Sequence, residues 1–179
     1  MIAFVSGGAR SGKSRFAEQL AREWHRDSGG KRYYLATARR ADDEMADRIA
    51  CHRRERGDGW ITLEEPLLLD EALDRVEQGS TLLLDCLTLW ASQWLYGSDF
   101  HEAEGDRMLA ALLGKARQKT IRLVVVSNDI NEDLPPGDPE TWRYLAFLQG
   151  RHRQLAREAD RVVEVVGGLP IDWKGVTGR

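Results

Sequence analysis

Residues 2–14 read Ile-Ala-Phe-Val-Ser-Gly-Gly-Ala-Arg-Ser-Gly-Lys-Ser, an apolar run that leads directly into the pattern G-x-x-x-x-G-K-S. The residues that follow, up to position 26, form a helix-like stretch. A phosphate-binding loop has this arrangement, because a strand delivers the loop and the first turn of a helix receives the phosphate. The opening of the chain therefore predicts a strand, a P-loop and a helix.

Each fixed position of this loop has a chemical role. Gly7 and Gly12 allow backbone conformations that a side chain forbids, so that the loop turns its N–H groups inward around the β-phosphate. Lys13 is predicted to supply a charge to the β- and γ-phosphates, and Ser14 a hydroxyl to Mg²⁺. A plain Gly-rich turn is the alternative, but it has no use for the Lys-Ser pair. The predicted nucleotide-binding residues of the loop are Gly7, Gly8, Ala9, Arg10, Ser11, Gly12, Lys13 and Ser14.

Composition favours a single nucleotide-binding domain over residues 1–179. Apolar residues make up 42% of the chain, and 26 Lys and Arg against 29 Asp and Glu give a net charge of −3, which argues weakly against broad nucleic-acid binding. Cys51 and Cys86 do not make a disulfide framework, and no metal-ligand spacing appears. Because no apolar run could cross a membrane and no signal peptide precedes the first strand, we expect a cytoplasmic protein.

Strand-like and helix-like runs alternate along the chain, which predicts an α/β fold with a mostly parallel sheet flanked by helices. The runs 82–84 and 123–126 have no polar alternation, as in strands covered on both faces. The predicted strands are 2–6, 32–36, 60–64, 81–86, 122–127 and 161–166, with a short final strand at 169–174. The predicted helices are 13–26, 42–55, 67–78, 87–96, 102–119 and 139–159, and the most loop-like stretch is 128–138.

Asp85 ends an apolar strand and is a candidate Mg²⁺ ligand. In P-loop enzymes an acidic residue at such a position holds Mg²⁺, directly or through water. An aspartate at the end of a strand is also common in plain loops, so the P-loop elsewhere in the chain is what favours the metal site. Three histidines, His25, His101 and His152, are expected to be solvated.

The segment after the second strand holds a second candidate site. Met45, Ile49 and His52 are spaced i, i+4, i+7 and so share one face of the predicted helix. One interpretation is a surface helix with cations near its C-terminus, which suits the helix dipole. The other is a histidine nucleophile, His52, surrounded by arginines such as Arg53 that neutralise nucleotide phosphates. Spacing alone favours the surface helix.

Several blocks in chain order carry a resemblance to a known family. They are the loop at 6–14, Ala-Thr-Ala at 36–38, Asp-Asp-Glu-Met at 42–45, Arg-Ile at 48–49 leading to His52, and the blocks 60–66, 84–90 and 126–128. Together they resemble the bifunctional adenosylcobinamide kinase / adenosylcobinamide-phosphate guanylyltransferase family of cobalamin biosynthesis. The resemblance covers most of the chain up to about Asn128.

The resemblance implies phosphorylation of adenosylcobinamide with GTP or ATP, followed by transfer of GMP from GTP to that phosphate. The second step passes through a guanylylated histidine, which by motif position is His52. The implied fold is RecA-like with an antiparallel end to the sheet, in a homotrimer with active sites between subunits. The implied catalytic residues are His52, Lys13 and Asp85, the further nucleotide-binding residues Arg53, Glu64 and Asp85, and the Mg²⁺ ligands Ser14 and Asp85.

Two segments depart from the family pattern. The family's Asn-Glu-Val-Gly-x-Gly-Ile-Val-Pro reads Asn-Asp-Ile-Asn-Glu-Asp-Leu-Pro-Pro at 128–136, and its Gly-Arg-x-Asn-Gln reads Gly-Arg-His-Arg-Gln at 150–154. We therefore expect differences in corrinoid recognition and in the balance between the two activities. The alternatives are a kinase-only P-loop enzyme acting on a corrinoid or another small alcohol, and a nucleotide-binding regulatory module without turnover.

Overall fold

A computed structural model describes residues 1–38, 58–130 and 137–175 of the chain. The strands within these ranges are β1 Ile2–Ser6, β2 Arg32–Ala36, β3 Trp60–Glu64, β4 Thr81–Asp85, β5 Arg122–Val126, β6 Arg161–Val166 and β7 Leu169–Lys174. The helices are α1 Lys13–Ser28, α2 Leu69–Ala72, α3 Leu87–Tyr96, α4 Glu102–Gln118 and α5 Pro139–Glu158, with a 3-10 turn at Leu73–Arg75.

The strands form one sheet in the order β3-β2-β4-β5-β1-β6-β7. Strands β1 to β6 are parallel, and β7 pairs with β6 in the antiparallel sense. This confirms the predicted RecA-like α/β fold with a mostly parallel sheet, an antiparallel end and flanking helices. The P-loop strand β1 lies between β5 and β6, well inside the sheet.

Both faces of the sheet are covered, which explains the continuous apolar strands. Successive residues of β1 point to opposite faces: Ile2 and Phe4 pack in the core beneath helices α2 to α5, whereas Ala3 and Val5 pack beneath α1. No helix in the described ranges is both long and apolar enough to cross a lipid bilayer. The predicted helix 42–55 lies outside the described residues, as does the part of the predicted loop at 131–136.

The predicted helix 67–78 is shorter in the structure, where only α2 and the 3-10 turn form. At its start, the Glu65 carboxylate accepts the N–H groups of Leu67 and Leu68, at 3.2 Å and 3.0 Å. At its end, Lys119 Nζ donates to the carbonyl oxygens of Leu73 and Val76, at 2.6 Å and 2.5 Å. The nearby Glu65 and the distant Lys119 thus satisfy backbone groups at the two ends of the segment, so the segment is stable without a longer helix. The other predicted elements that lie in the described residues agree with the structure to within two residues.

Helices α4 and α5 approach each other closely at Gly105. A Cβ atom at Gly105 would lie 2.7 Å from Cζ of Phe147, a core side chain that is only 3% exposed. We predict that Gly105→Ala lowers the free energy of unfolding by about 1–3 kcal/mol, because an aromatic ring fixed in the core cannot move aside without strain. Urea denaturation of the purified protein measures this change.

Gly114 is the matched control on the same helix. It is exposed, and a Cβ atom there would meet no atom of the described residues within 4 Å. Gly114→Ala should therefore raise stability by up to about 1 kcal/mol, because alanine favours the helix over glycine. Similar effects at the two positions would contradict the close-packing explanation.

Candidate active site

The P-loop ends at the N-terminus of α1. Gly12 is the N-cap residue, with φ of 91°, and no side chain of the described residues caps the helix. The first turn of α1, which is described throughout, carries no acidic residue. The unsatisfied N–H groups of this turn and the positive end of the helix dipole form a site suited to a phosphate.

The P-loop is held from two sides. The N–H of Asp129, just beyond β5, donates to the carbonyl oxygen of Gly7 at 2.9 Å, and the N–H of Gly168, in the β6–β7 turn, donates to that of Ser11 at 2.8 Å. Gly7 has φ of 155°, and a Cβ atom there would lie 2.5 Å from the carbonyl oxygen of Val165. The first glycine of the loop is therefore required by both its backbone conformation and its close neighbour.

Lys13 lies folded into the loop. It is 8% exposed, and its Nζ donates to the carbonyl oxygen of Gly8 at 3.0 Å. Burial lowers the pKa of Lys13, and the negative potentials of Cys86 and Asp85 offset this only in part. A bound phosphate would add to the potential of Asp85 and stabilise the charged form of this buried ammonium group.

Asp85 is the last residue of β4, and β5 alone separates β4 from β1. At normal strand spacing the two strands are therefore about 10 Å apart. The Tyr34 hydroxyl donates to Oδ2 of Asp85 at 2.9 Å and fixes its carboxylate. The Ser14 hydroxyl and the Asp85 carboxylate are hard oxygen donors that fit Mg²⁺, which also binds water and substrate phosphates. No cluster of three or more His, Cys, Asp and Glu suited to a metal occurs in the described residues.

The remaining predicted site residues lie elsewhere. Glu64 ends β3 at the outer edge of the sheet and is exposed. Four strand spacings, about 19 Å, separate β3 from β1, so Glu64 is distant from the P-loop of its own chain. His52 and Arg53 lie outside the described residues. The P-loop and Asp85 thus lie at the carboxyl ends of central strands of the sheet. Glu64 lies at the end of the outermost strand, β3, away from both of them.

His152 is a residue whose environment was not expected from the sequence. Its Nε2 lies 2.7 Å from Oγ of Ser127, and its ring centroid lies 5.2 Å from that of Phe4. Burial lowers the pKa of His152 to about 4, which the negative potential of Asp129 opposes only in part. The prediction of a solvated histidine is therefore wrong for His152, which is mostly buried and neutral beside the strand that carries the P-loop.

Helical spacing contained the signal that would have found His152. Leu148, His152 and Leu155 are spaced i, i+4, i+7, and both leucines are buried at 1% and 0% exposure. The histidine therefore lies on the face of α5 that packs against the sheet. The prediction of a solvated side chain is confirmed for His101, which is exposed, whereas His25 is partly buried.

Comparison with known proteins identifies the family. A sequence model of the family described as cobinamide kinase / cobinamide phosphate guanyltransferase matches residues 3–173. The chain belongs to this family. The predicted family membership is thus confirmed over nearly the whole chain and includes the segment after Asn128, where the motif pattern departs.

Two curated relatives of this family match along their whole length. The bifunctional adenosylcobalamin biosynthesis protein CobP of Pseudomonas aeruginosa is 42% identical over 172 residues, which cover 96% of each chain. The bifunctional adenosylcobalamin biosynthesis protein CobU of Escherichia coli is 32% identical over 187 residues, which cover 97% of this chain and 100% of the relative. A solved KaiC-like protein of Pyrococcus horikoshii overlays with a TM-score of 0.48 at 14% identity, covering 91% of this chain and 69% of that one.

Removal of the Lys13 charge tests the assignment of the phosphate site. We predict that Lys13→Met weakens binding of GTP and ATP by roughly 10- to 100-fold, because a charged hydrogen bond to phosphate is lost from a buried position. Isothermal titration calorimetry measures the dissociation constants. Arg26→Met is the matched control: it removes one positive charge from the exposed last turn of the same helix and should leave nucleotide affinity within about twofold. Equal losses in the two variants would contradict the assignment.

The pKa of His152 predicts a pH dependence of stability. The folded value of about 4 lies below the ordinary value of 6.5, so the unfolded chain binds the proton more readily between these two pH values. The contribution of His152 to stability is therefore fully present above pH 6.5 and is lost as the pH falls towards 4, with a slope of at most about 1.4 kcal/mol per pH unit. Because glutamine does not titrate, His152→Gln should flatten the stability profile in this window. Urea denaturation from pH 4.5 to 7 checks this, and parallel profiles for the two proteins would contradict it.

Proposed function

We propose that this chain phosphorylates adenosylcobinamide and then transfers GMP from GTP to the resulting phosphate, giving adenosyl-GDP-cobinamide in cobalamin biosynthesis. The observation that carries the proposal is the family match over residues 3–173, in a chain whose P-loop is complete and opens at the N-terminus of α1. Its Pseudomonas aeruginosa relative is a bifunctional protein of adenosylcobalamin biosynthesis of matching length. A single nucleotide-binding domain is proposed to carry both activities.

In the proposed kinase step, the hydroxyl group of the aminopropanol arm attacks the γ-phosphorus of GTP or ATP. The bond from this phosphorus to the bridging oxygen breaks, GDP or ADP leaves, and the hydroxyl proton passes to water. The loop N–H groups and Lys13 hold the β- and γ-phosphates, so the negative charge that develops on the transferring group meets fixed positive groups. Ser14 and Asp85 are proposed to hold Mg²⁺, which when bound neutralises charge on the phosphate oxygens. Tyr34, which donates to Asp85, keeps that carboxylate oriented.

In the proposed guanylyl step, a neutral His52 nitrogen attacks the α-phosphorus of GTP. A P–N bond forms, the bond to the bridging oxygen breaks, and pyrophosphate leaves. A phosphate oxygen of adenosylcobinamide phosphate then attacks the same phosphorus, the P–N bond breaks, and the neutral histidine is regenerated. Division of one displacement into two steps through an energetic intermediate is the advantage of covalent catalysis.

The environments of the other three histidines support His52 as the nucleophile. His25 lies eleven residues beyond Ser14 on α1, so about 17 Å of helix separates it from the loop. His101 is the N-cap of α4, where its backbone N–H donates to the Glu104 carboxylate at 2.7 Å and its carbonyl oxygen accepts the N–H of Glu104 at 3.0 Å. His152 has its Nε2 engaged by Ser127 in a mostly buried position. Arg53, adjacent to His52, is proposed to neutralise the nucleotide phosphates.

A homotrimer with active sites between subunits is proposed as the working assembly in the cytoplasm. Glu64 supports it, because an exposed residue at the outer edge of the sheet is placed to contact a nucleotide held by a neighbouring subunit. Trp142 and Trp173 are 50% and 69% exposed, as suits large apolar side chains that become covered in subunit contacts. Sedimentation equilibrium of the full chain determines the mass of the assembly directly.

A kinase-only enzyme of the same family is the second candidate. The departures from the family pattern at 128–136 and 150–154 favour it, because Asn131 and Asp133 replace the two loop glycines in the first and Arg153 replaces an asparagine in the second. A kinase-only enzyme needs the P-loop and Asp85 but no histidine nucleophile. Covalent labelling separates the two candidates.

The decisive experiment is incubation with GTP labelled on its α-phosphate, with Mg²⁺ and without corrinoid. We expect wild-type protein to acquire a label that is acid-labile and alkali-stable, as a phosphoramidate is. His52→Asn should acquire none, while the matched change His152→Gln should still be labelled. A folded, GTP-binding wild-type protein that takes up no label would indicate the kinase-only enzyme.

The same variants distinguish loss of one step from loss of both. His52→Asn should retain at least about half of the phosphorylation of adenosylcobinamide, since its imidazole has no role in γ-phosphoryl transfer, whereas Lys13→Met should lose both steps. Chromatographic separation of adenosylcobinamide phosphate from adenosyl-GDP-cobinamide measures each product. Loss of both products in His52→Asn to the same extent would contradict the role of His52 as nucleophile.

A further inference from the structure

A chain of hydrogen bonds joins Asn128, Thr88, Ser127 and His152, next to the P-loop and near the carboxyl ends of β4 and β5. The N–H of Asn128 donates to Oγ1 of Thr88 at 2.8 Å. Oγ1 of Thr88 lies 3.0 Å from Oγ of Ser127, which lies 2.7 Å from Nε2 of His152. Ser127 is fully buried and Thr88 is 9% exposed, so neither hydroxyl has bulk water as an alternative partner.

One direction is fixed by chemistry: an amide N–H can only donate, so Thr88 Oγ1 accepts from Asn128. In the arrangement in which Thr88 donates to Ser127 and Ser127 donates to His152, each hydroxyl accepts one bond and donates one. The last acceptor of this arrangement is an unprotonated Nε2, on an imidazole whose proton is on Nδ1. Burial of the ring against Phe4 favours this neutral form, in agreement with the lowered pKa of His152.

The same segment is tied to the P-loop. The N–H of Ser127 donates to the carbonyl oxygen of Val5 at 3.0 Å, and that of Asp129 donates to the carbonyl oxygen of Gly7 at 2.9 Å. Residues 127–129 thus connect the histidine-terminated chain to the last part of β1 and the first residue of the P-loop. A shift of Ser127 would therefore change the position of Gly7.

We propose that His152 is a positioning residue for the nucleotide site: as a neutral acceptor it ends the hydrogen-bond chain that holds residues 127–129 against the P-loop, and so keeps the loop in its phosphate-binding shape. The loop then binds nucleotide without first paying the entropy of becoming ordered. Loss of the acceptor leaves the Ser127 hydroxyl without a partner in a dry environment, and the segment shifts to find one. The proposal rests on the proposed function only for its effect on turnover, because nucleotide binding is measured separately.

The test compares two changes of similar size at His152. Leucine fills the space but accepts no hydrogen bond, whereas the amide oxygen of glutamine reaches close to the position of Nε2 and accepts one. We expect His152→Leu to raise the dissociation constant for GTP with Mg²⁺, and the KM of the kinase step, by about tenfold, with kcat changed by less than about threefold. His152→Gln should stay within about twofold of wild type. Equal weakening in both variants, or no change in His152→Leu, would overturn the proposal.

Two further measurements keep the test decisive if His152→Leu does not fold. Ser127→Ala removes the donor to His152 and should weaken GTP binding by about fivefold. Nitrogen NMR of histidine-labelled protein reports which ring nitrogen carries the proton, and a proton on Nε2 or unchanged binding in Ser127→Ala would overturn the proposal. A wild type that binds GTP tightly but does not phosphorylate adenosylcobinamide would count against the proposed function alone.

Discussion

Parallel pairing of β1 with β5, and of β5 with β4, is the constraint on which the rest of the molecule depends. Parallel strands end at the same edge of the sheet, so the P-loop, Asp85 and Ser127 come together although they are far apart in sequence. Burial of both faces by helices fixes that register, since a slip by one residue would expose alternate apolar side chains of every strand. The arrangement of the site is thus a consequence of core packing: the groups proposed to meet phosphate lie at the ends of strands that cannot slide.

The C-terminal part of the chain contributes contacts to the P-loop, although the P-loop motif itself lies near the N-terminus. The P-loop is near the N-terminus, yet its carbonyl groups are held by Asp129 and by Gly168 of the β6–β7 turn. His152 on α5 completes the hydrogen bonds of the segment that contains Asp129. Asp129 and His152 lie within the two segments that depart from the family pattern, 128–136 and 150–154, whereas the residues of the P-loop itself do not depart from it.

Local patterns in the sequence were sufficient to predict the strands, the P-loop and most helices. They were not sufficient to predict the contacts between these elements. The apolar runs of β4 and β5 and the Gly-Lys-Ser end of the loop predicted strands, loop and helix correctly, because burial on both faces and phosphate binding each leave a local pattern. The helical segment that begins at Leu69 is shorter than predicted. The side chain that bonds the carbonyl oxygen of Leu73 near its end is Lys119, which lies more than forty residues away along the chain. His152 was misjudged because its partner Ser127 lies on another element. The distance of Glu64 from the P-loop follows from the strand order, which no single element reveals.

The bond between the Gly168 N–H and the Ser11 carbonyl has a consequence for biosynthesis on the ribosome. Residues 7–14 are translated before β6, which pairs with β1, and before the turn that holds Ser11. A nascent chain that has emerged only as far as β5 therefore carries the motif without the contacts that shape it. Domains fold as units once their sequence is available, so the P-loop takes its final shape only after β6 and the β6–β7 turn have been synthesised.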